Sequence, residues 1–429
     1  MERYNEYKDS GVQWLGEIPS HWTIMPLKYS GRFCKGKLPS NTNDNCLGKP
    51  IIGASEMNGN MPSVYSEDNS VPQCTQNDIL FLWDGANAGL VSSFHDGIVA
   101  STVTKFTCDN SNIVSTYLYY LEKNYQRYYK ERVGGTTIPH MNSQYIASCP
   151  LLIPSIQEQQ AIADYLDTAT TKIDEAIAQQ QKMIDLLNER KQIIINNAVT
   201  KGLNPDAPMK DSGVEWIGEI PEHWEINKFR NLFKTRTGIT FTKAQLEEEG
   251  EPVISYGQIH SKENWGASVN PVLIRHIPAS LTKGKESALA FKGDFLFADT
   301  SEDFEGCGNC VCIDTPEPIY AGYHTILAKR DNDEHEQYLA YLFASSNWRG
   351  QLRSMVNGVK VYSVTQSLLK AVIVLLPPKS EQIEIAEYIT KRVVLIDAAI
   401  KRHTDRIKLL QERKQIIIND VVTGKVKVS

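Results

Sequence analysis

The densest group of metal-binding residue types in the sequence is a C-x-x-C-x-C run formed by Cys307, Cys310 and Cys312, with His324 following it. A structural zinc site needs four ligands, which usually come as two separated pairs. The sequence contains no second C-x-x-C, and the first half of the chain has no counterpart of this run. We therefore predict buried thiols on a strand and no metal, because a reduced cysteine packs as a small apolar residue.

Sequence motifs that would indicate an enzyme are missing. A nucleotide-binding P-loop needs G-x-x-x-x-G-K-[ST], and the Gly-Lys pairs that begin at Gly36 and Gly424 do not fit it. The chain has neither the Asn-Pro-Pro-aromatic tetrad and glycine-rich loop of adenine methyltransferases nor a G-x-S-x-G turn. Acidic-x-Lys triplets, as in metal-dependent nucleases, begin at Glu6 and Glu412, but one lies at the terminus and the other in a predicted helix. We expect no catalytic residue and no cofactor in this chain.

Composition and charge limit the remaining classes of function. The chain has 429 residues, 41% of them hydrophobic, which suggests two or three domains. Its formal net charge of −6 argues against a non-specific nucleic-acid coating protein, although a local basic face is still possible. No apolar stretch approaches the roughly 20 residues that span a bilayer. Eight cysteines in this length fit a reducing compartment, so we expect a cytoplasmic protein with no membrane association.

The chain is a tandem duplication. Residues 8–22 read KDSGVQWLGEIPSHW and residues 210–224 read KDSGVEWIGEIPEHW, with 12 identities in 15 at an offset of 202. Residues 189–196 and 412–419 both read ERKQIIIN at an offset of 223, so the second half carries a net insertion of 21 residues. The middles of the halves diverge, although DILF at 78–81 and DFLF at 294–297 still match. Two copies of one scaffold with different middles suit a reader of two unlike targets.

Each half ends in a predicted long helix. Residues 155–199 contain no Gly or Pro, and their apolar residues recur at alternating steps of four and three. About 40 residues at 1.5 Å each make a rod on the order of 60 Å. The recurring apolar residues form a stripe along each helix, which we call the seam, and two helices with matching seams should pack together. The seam residues are Ile162, Leu166, Ala169, Ile173, Ala176, Met183, Leu187 and Ile194, and then Ile385, Ile389, Ile396, Ala399, Leu410 and Ile417.

The segments before the long helices are predicted to be mixed and rich in strands. Short β-rich runs at 98–107 and 371–376 are separated by turn signals such as Asn58-Gly59, and a helix is expected over 115–132. The predicted class is therefore α+β, with pseudo-twofold duplication. The domain boundaries are 1–152 and 201–376 for the two strand-rich domains, the latter including the linker, and 153–200 and 377–429 for the helices, the latter including the tail.

The order of these segments closely resembles the specificity subunit of type I restriction-modification enzymes. The resemblance covers essentially the whole chain, and residues 154–166 and 378–389 look like the family's proline-opened helix starts. Residues 134–142 are similar to the Gly-Thr-rich segment that ends its recognition domains, whereas residues 357–365 depart from it.

The resemblance implies a non-catalytic reader of double-stranded DNA. Two target-recognition domains, separated by an antiparallel coiled coil, would each read one half of a bipartite site. The helices would set the gap and dock two methyltransferase subunits that bring S-adenosylmethionine. Two restriction and translocase subunits, which use ATP and Mg, would complete the complex.

Candidate DNA-binding residues are polar side chains in loops and cations that could form a local basic face. The first half supplies Lys35, Lys37, Asn58, Asn87, Lys105, Thr136, Thr137 and His140, with Lys123 and Arg127 as further cations. The second half supplies Arg236, Gln258, Ser301, Asn309, Lys360 and Ser363, with Arg230 and Lys234 as further cations. The alternative is a coiled-coil scaffold for other proteins that reads no DNA, and such a scaffold would enrich no sequence from random DNA.

Overall fold

A computed structural model describes residues 2–135, 139–356, 358 and 361–428, which form two compact units. The first unit runs to Gln181 and resumes at Thr404, and the second unit covers Lys182–His403. Each unit contains strands, short helices and parts of both long helices, which confirms the predicted α+β class. Within the described ranges, no helix is long and apolar enough to cross a bilayer.

Over residues 2–135 and 139–201, the first half contains twelve strands and four α-helices. The strands are β1 (Tyr7–Asp9), β2 (Glu17–Pro19), β3 (Thr23–Pro26), β4 (Gly31–Lys35), β5 (Lys49–Ile52), β6 (Tyr65–Ser66), β7 (Gln73–Cys74), β8 (Ile79–Leu82), β9 (Val91–Ser92), β10 (Gly97–Val99), β11 (Val103–Cys108) and β12 (Pro150–Ile153). The helices are α1 (Ala54–Met57), α2 (Ser115–Glu131), α3 (Ser143–Ser148) and α4 (Ile156–Lys201), with a 3-10 turn at Leu27–Tyr29. Helix α2 confirms the helix predicted over 115–132.

The second half repeats this order with additions. Its strands are β13 (Met209–Asp211), β14 (Glu219–Pro221), β15 (Glu225–Lys228), β16 (Phe233–Thr237), β17 (Glu251–Ile254), β18 (Arg275–Ile277), β19 (Leu289–Ala290), β20 (Phe295–Ala298), β21 (Thr300–Ser301), β22 (Cys310–Cys312), β23 (Ile319–Ala321), β24 (Thr325–Arg330), β25 (Tyr362–Ser363) and β26 (Ile373–Leu376). Its helices are α5 (Phe229–Leu232), α6 (Tyr256–Ile259), α7 (Glu336–Ala344), α8 (Ser346–Met355), α9 (Gln366–Ala371) and α10 (Lys379–Val422). Short 3-10 turns lie at Lys243–Gln245, Pro271–Leu273, Ala279–Leu281 and Glu286–Ala288.

The divergent middles share one sheet topology. An antiparallel sheet has the order β4-β11-β8-β9 in the first unit and β16-β24-β20-β22 in the second. A mixed sheet has the order β6-β5-β10-β7 in the first unit and β18-β17-β23-β19 in the second, with β5 parallel to β10 and β17 parallel to β23. The remaining pairs are β1–β2, β3–β12, β13–β14, β15–β26 and β21–β25. The duplication therefore extends through segments whose sequences have diverged.

Strand β8 shows why a continuous apolar run lies at the centre of each unit. Its four residues are all buried, and successive side chains point to opposite faces. Ile79 and Phe81 join the core beneath α2, whereas Leu80 and Leu82 join a second core with Ile52 of the mixed sheet. Strand β20 divides its side chains between two cores in the same way.

The two long helices pack against each other in each unit and run antiparallel. In the first unit Lys414 Nζ lies 2.6 Å from Asp174 Oδ2, while the earlier residue Leu166 shares a core with the later residue Val421. In the second unit Lys191 Nζ lies 2.9 Å from Asp397 Oδ1, an ion pair equivalent to the first at an offset of 223. The predicted helix pair is confirmed.

The seam differs from the predicted heptad at Met183 and near the end of α4, where Ile195 is buried and the predicted Ile194 is half-buried. Met183 is 44% exposed, and the neighbouring Ile184 is half-buried in its place. A straight helix with 3.6 residues per turn drifts by about 20° per heptad, so a register fixed at Ile162 has rotated by roughly 60° three heptads later. The assignment of Met183 to the seam was therefore wrong.

The duplicated opening motif forms a hairpin that closes on a long helix. Lys8 Nζ donates to the carbonyl of Trp22 at 2.5 Å, and Lys210 Nζ donates to that of Trp224 at 2.7 Å. Both indoles are buried. Gly424, at the end of α10, has φ 71°, and a Cβ there would lie 2.4 Å from Pro19 Cδ and 3.1 Å from Trp22. These contacts explain why both motif copies have changed so little.

The histidine of each motif binds the first turn of the long helix that follows its own domain. His21 Nε2 lies 2.9 Å from Glu158 Oε1, and His223 Nε2 lies 2.8 Å from Glu381 Oε2. A carboxylate is also favourable in a first turn because it faces the positive end of the helix dipole. The motif thus fixes where each domain joins its helix.

The cysteine run has the predicted placement. Cys310 and Cys312 are buried on β22, and Cys307 is buried just before it. Burial raises the pKa of the Cys310 thiol to about 12. The described residues contain no group of three His, Cys, Asp or Glu side chains that could hold a metal ion.

A buried carboxyl group makes the stability of the first unit depend on pH. Glu122 on α2 is fully buried, and Tyr129 donates a hydrogen bond to its Oε2, while Oε1 has no partner among the described residues. Burial raises the pKa of Glu122 to about 7, against the opposing effect of the Tyr129 bond. At the equivalent place in the second unit the side chain is Phe343, judged from the matching tyrosine hydroxyl bonds to β12 and β26.

We expect Glu122→Gln to stabilise the first unit increasingly as the pH rises. The folded-state pKa lies above the unfolded value, so the stability linked to protonated Glu122 is complete below about pH 4.5 and is lost as the pH rises through 7. The advantage of the variant should grow by roughly 2 to 3 kcal/mol between pH 5 and pH 8. Urea denaturation at both pH values measures it, with the exposed Glu131→Gln as control. A constant difference between parent and variant would contradict the assignment.

Candidate nucleic-acid interface

Each unit has a surface formed by three loops at one end of its antiparallel sheet. In the first unit these are residues 83–90, 100–102 and 139–141, which we call loop surface 1. The amides of Trp83 and Asp84 donate to the carbonyl of Thr102 at 2.8 and 3.2 Å, and the amide of Met141 donates to the carbonyl of Trp83 at 3.0 Å. Main-chain hydrogen bonds therefore fix the loops relative to one another.

Loop surface 2 comprises residues 299–309, 322–324 and 361–365 and has the same connections. The amide of Asp299 donates to the carbonyl of His324 at 3.1 Å, and the amide of Val364 donates to that of Asp299 at 2.8 Å. Thr300 pairs with Ser363 where Asp84 pairs with His140 in the first unit. The predicted residues His140 and Ser363 thus occupy equivalent positions at an offset of 223.

Asp84 brings two predicted residues of the first unit together. Its Oδ2 lies 3.0 Å from Lys35 Nζ, and its Oδ1 lies 2.9 Å from His140 Nδ1. Partial burial pushes the pKa of Asp84 up, but the hydrogen bonds from His140 and Lys35 outweigh it, so the pKa lies below the usual range for an aspartate. One carboxylate of loop surface 1 therefore holds both an imidazole of that surface and the cation at the adjoining end of β4.

The other predicted cations of the first half differ in whether they bind groups within the protein. Lys37 is exposed, whereas Lys105 lies inside the sheet with its Nζ 3.4 Å from the buried Asp78 carboxylate. Lys123 donates to the carbonyl of Val91 at 2.8 Å, and burial lowers its pKa to about 8. The structure thus leaves Lys37 available and gives Lys105 and Lys123 internal partners.

The predicted polar residues of the first half do not all lie on loop surface 1. Asn87 is exposed on loop surface 1. Asn58 is exposed at the end of α1, where its side-chain Nδ2 donates to the carbonyl of Ala54 at 2.6 Å. Thr136 and Thr137, like Lys360 of the second half, lie outside the described residues.

In the second unit several predicted residues bind their own surroundings. Gln258 Oε1 accepts the amide of Ser255 at 3.1 Å and caps α6, and the buried Ser301 donates its hydroxyl to the carbonyl of Asp303 at 2.7 Å. Asn309 lies 3.1 Å from His260 Nδ1 and accepts a hydrogen bond from Arg349. The bond of Ser301 is the kind of local bond to the main chain that serine favours in turns, whereas Asn309 joins side chains that are distant in sequence.

Two exposed predicted residues remain in the second unit. Arg236 lies on β16, and its guanidinium donates to the main-chain carbonyl of the neighbouring Thr235 at 3.3 Å. Ser363 lies on β25 at loop surface 2, where its hydroxyl donates to the main-chain carbonyl of Asp299 at 3.4 Å. The sequence interpretation did not include Asp84, Asp299 or His324 among the DNA-binding candidates, although Asp84 and Asp299 are among the first polar residues after the matched DILF and DFLF strands.

The structure thus defines a class of protein, a tandem duplication of two α+β units, each of which contains antiparallel segments of the two long helices. The sequence profile of the type I restriction modification DNA specificity domain matches residues 19–184 and 221–409. The chain belongs to this family.

Individual relatives agree with this assignment. The type I restriction enzyme MjaVIII specificity subunit of Methanocaldococcus jannaschii is 25% identical over 434 residues, covering 100% of this chain and 98% of the relative. The EcoKI specificity subunit of Escherichia coli is 24% identical over 63% of this chain and 56% of that protein. A solved structure concerned with assembly and conformational transition of the type I R-M system contains a chain with the same fold, at a TM-score of 0.66 and 14% identity, over 95% of this chain and 99% of that one.

Proposed function

We propose that this chain is the sequence-reading subunit of a type I restriction-modification complex. Loop surface 1 reads one half of a bipartite DNA site and loop surface 2 reads the other half. The observation that carries the proposal is that one sheet topology occurs twice, while the side chains on the two loop surfaces differ. A protein that reads two different half-sites needs the same backbone scaffold in both units and different side chains on the surfaces that contact the bases.

The long helices offer two equivalent docking positions for one kind of partner. Leu186 and Ile193 on α4 are 48% and 50% exposed, and their counterparts at an offset of 223 on α10, Leu409 and Ile416, are 64% and 59% exposed. Each pair is spaced by seven residues, which places both side chains on one side of a helix. Exposed apolar positions that recur in both units indicate a partner that binds twice. We assign this partner as the methyltransferase subunit.

The chemistry belongs to partner subunits under this proposal. The methyltransferase subunits supply S-adenosylmethionine, and two restriction subunits supply ATP hydrolysis with Mg. The chain itself supplies base-edge contacts and a few cations such as Lys35, while the partners neutralise most phosphates. This division accounts for a DNA reader with an acidic net charge. The complex works in the cytoplasm.

The test is methylation mapping with purified components. We expect the chain together with its methyltransferase subunit and S-adenosylmethionine to methylate a two-part sequence separated by a fixed gap. The chain alone should neither methylate nor cut DNA, whatever cofactor is supplied. A complex that assembles but methylates no defined sequence would favour the scaffold alternative, and activity of the homogeneous chain alone would contradict the non-catalytic role.

A further inference from the structure

His324 on loop surface 2 is held in an unfavourable backbone conformation. Its φ is 53°, in the left-handed region, which is uncommon for residues other than glycine although histidine adopts it more often than most. The main chain is fixed there because the carbonyl of His324 accepts the amide of Asp299 at 3.1 Å. Strained residues that the surrounding structure holds in place cluster at functional sites.

The His324 side chain is equally well oriented. Nδ1 lies 2.8 Å from Asp299 Oδ1, and the ring meets Tyr323 and Tyr256 edge-on at centroid distances of 4.0 and 5.4 Å. The side chain is still 38% exposed, and no hydrogen bond to Nε2 occurs within the described part of the chain. The imidazole is thus fixed on one side and open on the other.

The first unit contains the same pair of residue types on a different loop. His140 Nδ1 is bound to Asp84 at 2.9 Å, and the His140 side chain is 58% exposed. Both aspartates follow the central strand of their sheet, but the positional equivalent of His140 is Ser363, and that of His324 is Thr102. The two aspartate–histidine pairs therefore occupy different positions and are not duplicates of one ancestral pair. Each loop surface nevertheless has an imidazole whose Nδ1 is bound to an aspartate.

We propose that His324, positioned by Asp299, reads a base edge in the half-site of the second unit, as His140, positioned by Asp84, does in the first. An aspartate that accepts Nδ1–H fixes the ring orientation and leaves Nε2 as the one outward hydrogen-bonding atom. Such an atom matches a donor or acceptor on a base edge in the major groove. This inference rests on the proposed function and deepens it by naming a specificity-determining residue in each unit.

The experiment uses the complete methyltransferase complex on DNA libraries in which each position of both half-sites is randomised. His324→Asn removes the ring without adding strain, because asparagine tolerates positive φ better than most residues. Discrimination should fall on the order of tenfold at one base pair of the second-unit half-site and stay unchanged in the other half-site. His140→Asn should do the reverse.

Substitutions of Asp299 test whether this residue orients the His324 ring or only stabilises the fold. Asp299→Ala frees the ring and should relax the same base pair as His324→Asn, whereas Asp299→Asn keeps an oxygen that accepts Nδ1–H and should largely restore discrimination. His276→Asn, on β18 and outside the three loops, is the matched control and should change nothing. Thermal unfolding confirms folding, and His324→Gly replaces His324→Asn if the latter unfolds early.

The outcomes distinguish this inference from the function on which it rests. If the parent complex reads a bipartite site but His324→Asn keeps full discrimination, the inference is wrong and the function stands. Equal weakening on all sequences, with a smaller salt dependence, would indicate a phosphate contact and also overturn the inference. A parent complex that reads no bipartite site would overturn both.

Discussion

Exchanging residues 229–369 for the equivalent segment of a relative is expected to replace the second half-site completely and leave the first half-site unchanged. The segment contains all of loop surface 2, and its two ends meet because the flanking strands β15 and β26 are paired. The contacts that join the unit to the helices through the motif, such as His223 with Glu381, lie outside the segment. Methylation mapping of parent and hybrid complexes measures the effect.

The reciprocal exchange is the matched control. Residues 27–146 are the equivalent segment of the first half, and replacing them should alter only the first half-site. The hybrid of the second half also receives a new packing surface against α10, where Tyr341 bonds Thr390 at 2.9 Å, so its folding needs a thermal unfolding check. A folded hybrid in which both half-sites change would rule out independent reading units.

Inserting four residues after Gln180 and four after His403 is expected to lengthen the gap between the half-sites by about two base pairs. The boundaries between the two compact units fall at Gln181 and His403, next to these insertion points. Four residues add about 6 Å of helix, and DNA rises about 3.4 Å per base pair. The half-sites should keep their sequences, because neither loop surface is altered.

The insertion also rotates the two ends of each helix relative to one another. This rotation determines how much activity we expect to remain. Four residues turn a helix by roughly 40° beyond a full turn and add a stutter to the heptads, so affinity should fall while the gap lengthens. Insertion into only one helix is the control, and it should abolish activity because equivalent seam positions no longer meet. An unchanged gap with full activity in the double insertion would mean that the helices do not set the distance.

The frame of the protein could be predicted from its sequence because the duplication supplies an internal comparison. The motif ending at Trp22 and its copy ending at Trp224 make the same contacts, and both long helices occur within a few residues of the predicted ranges. The seam at Met183 was predicted wrongly because a fixed heptad ignores the drift of a straight helix.

The loop surfaces were less predictable, because residue type alone does not show whether a polar side chain faces solvent or its own backbone. Ser301 and Gln258 have suitable types but satisfy nearby main-chain groups. The side chain of Lys105 on β11 lies next to the buried carboxylate of Asp78. This placement results from the register of the strands, which spacing in the sequence does not show. His324 could be found only through its φ and its contact with Asp299.

The division of the chain into units also has a consequence for synthesis on the ribosome. The second unit is continuous from Lys182 to His403, whereas the core of the first unit is covered by Ile418, Val421 and Val422 near the end of the chain. At about 5–20 residues per second, the nascent first unit waits roughly ten to fifty seconds for its last helical segment while the second unit is made. During that time its apolar face can accept the same segment from another copy, so exchange of this segment between two chains is the misassembly that the topology favours.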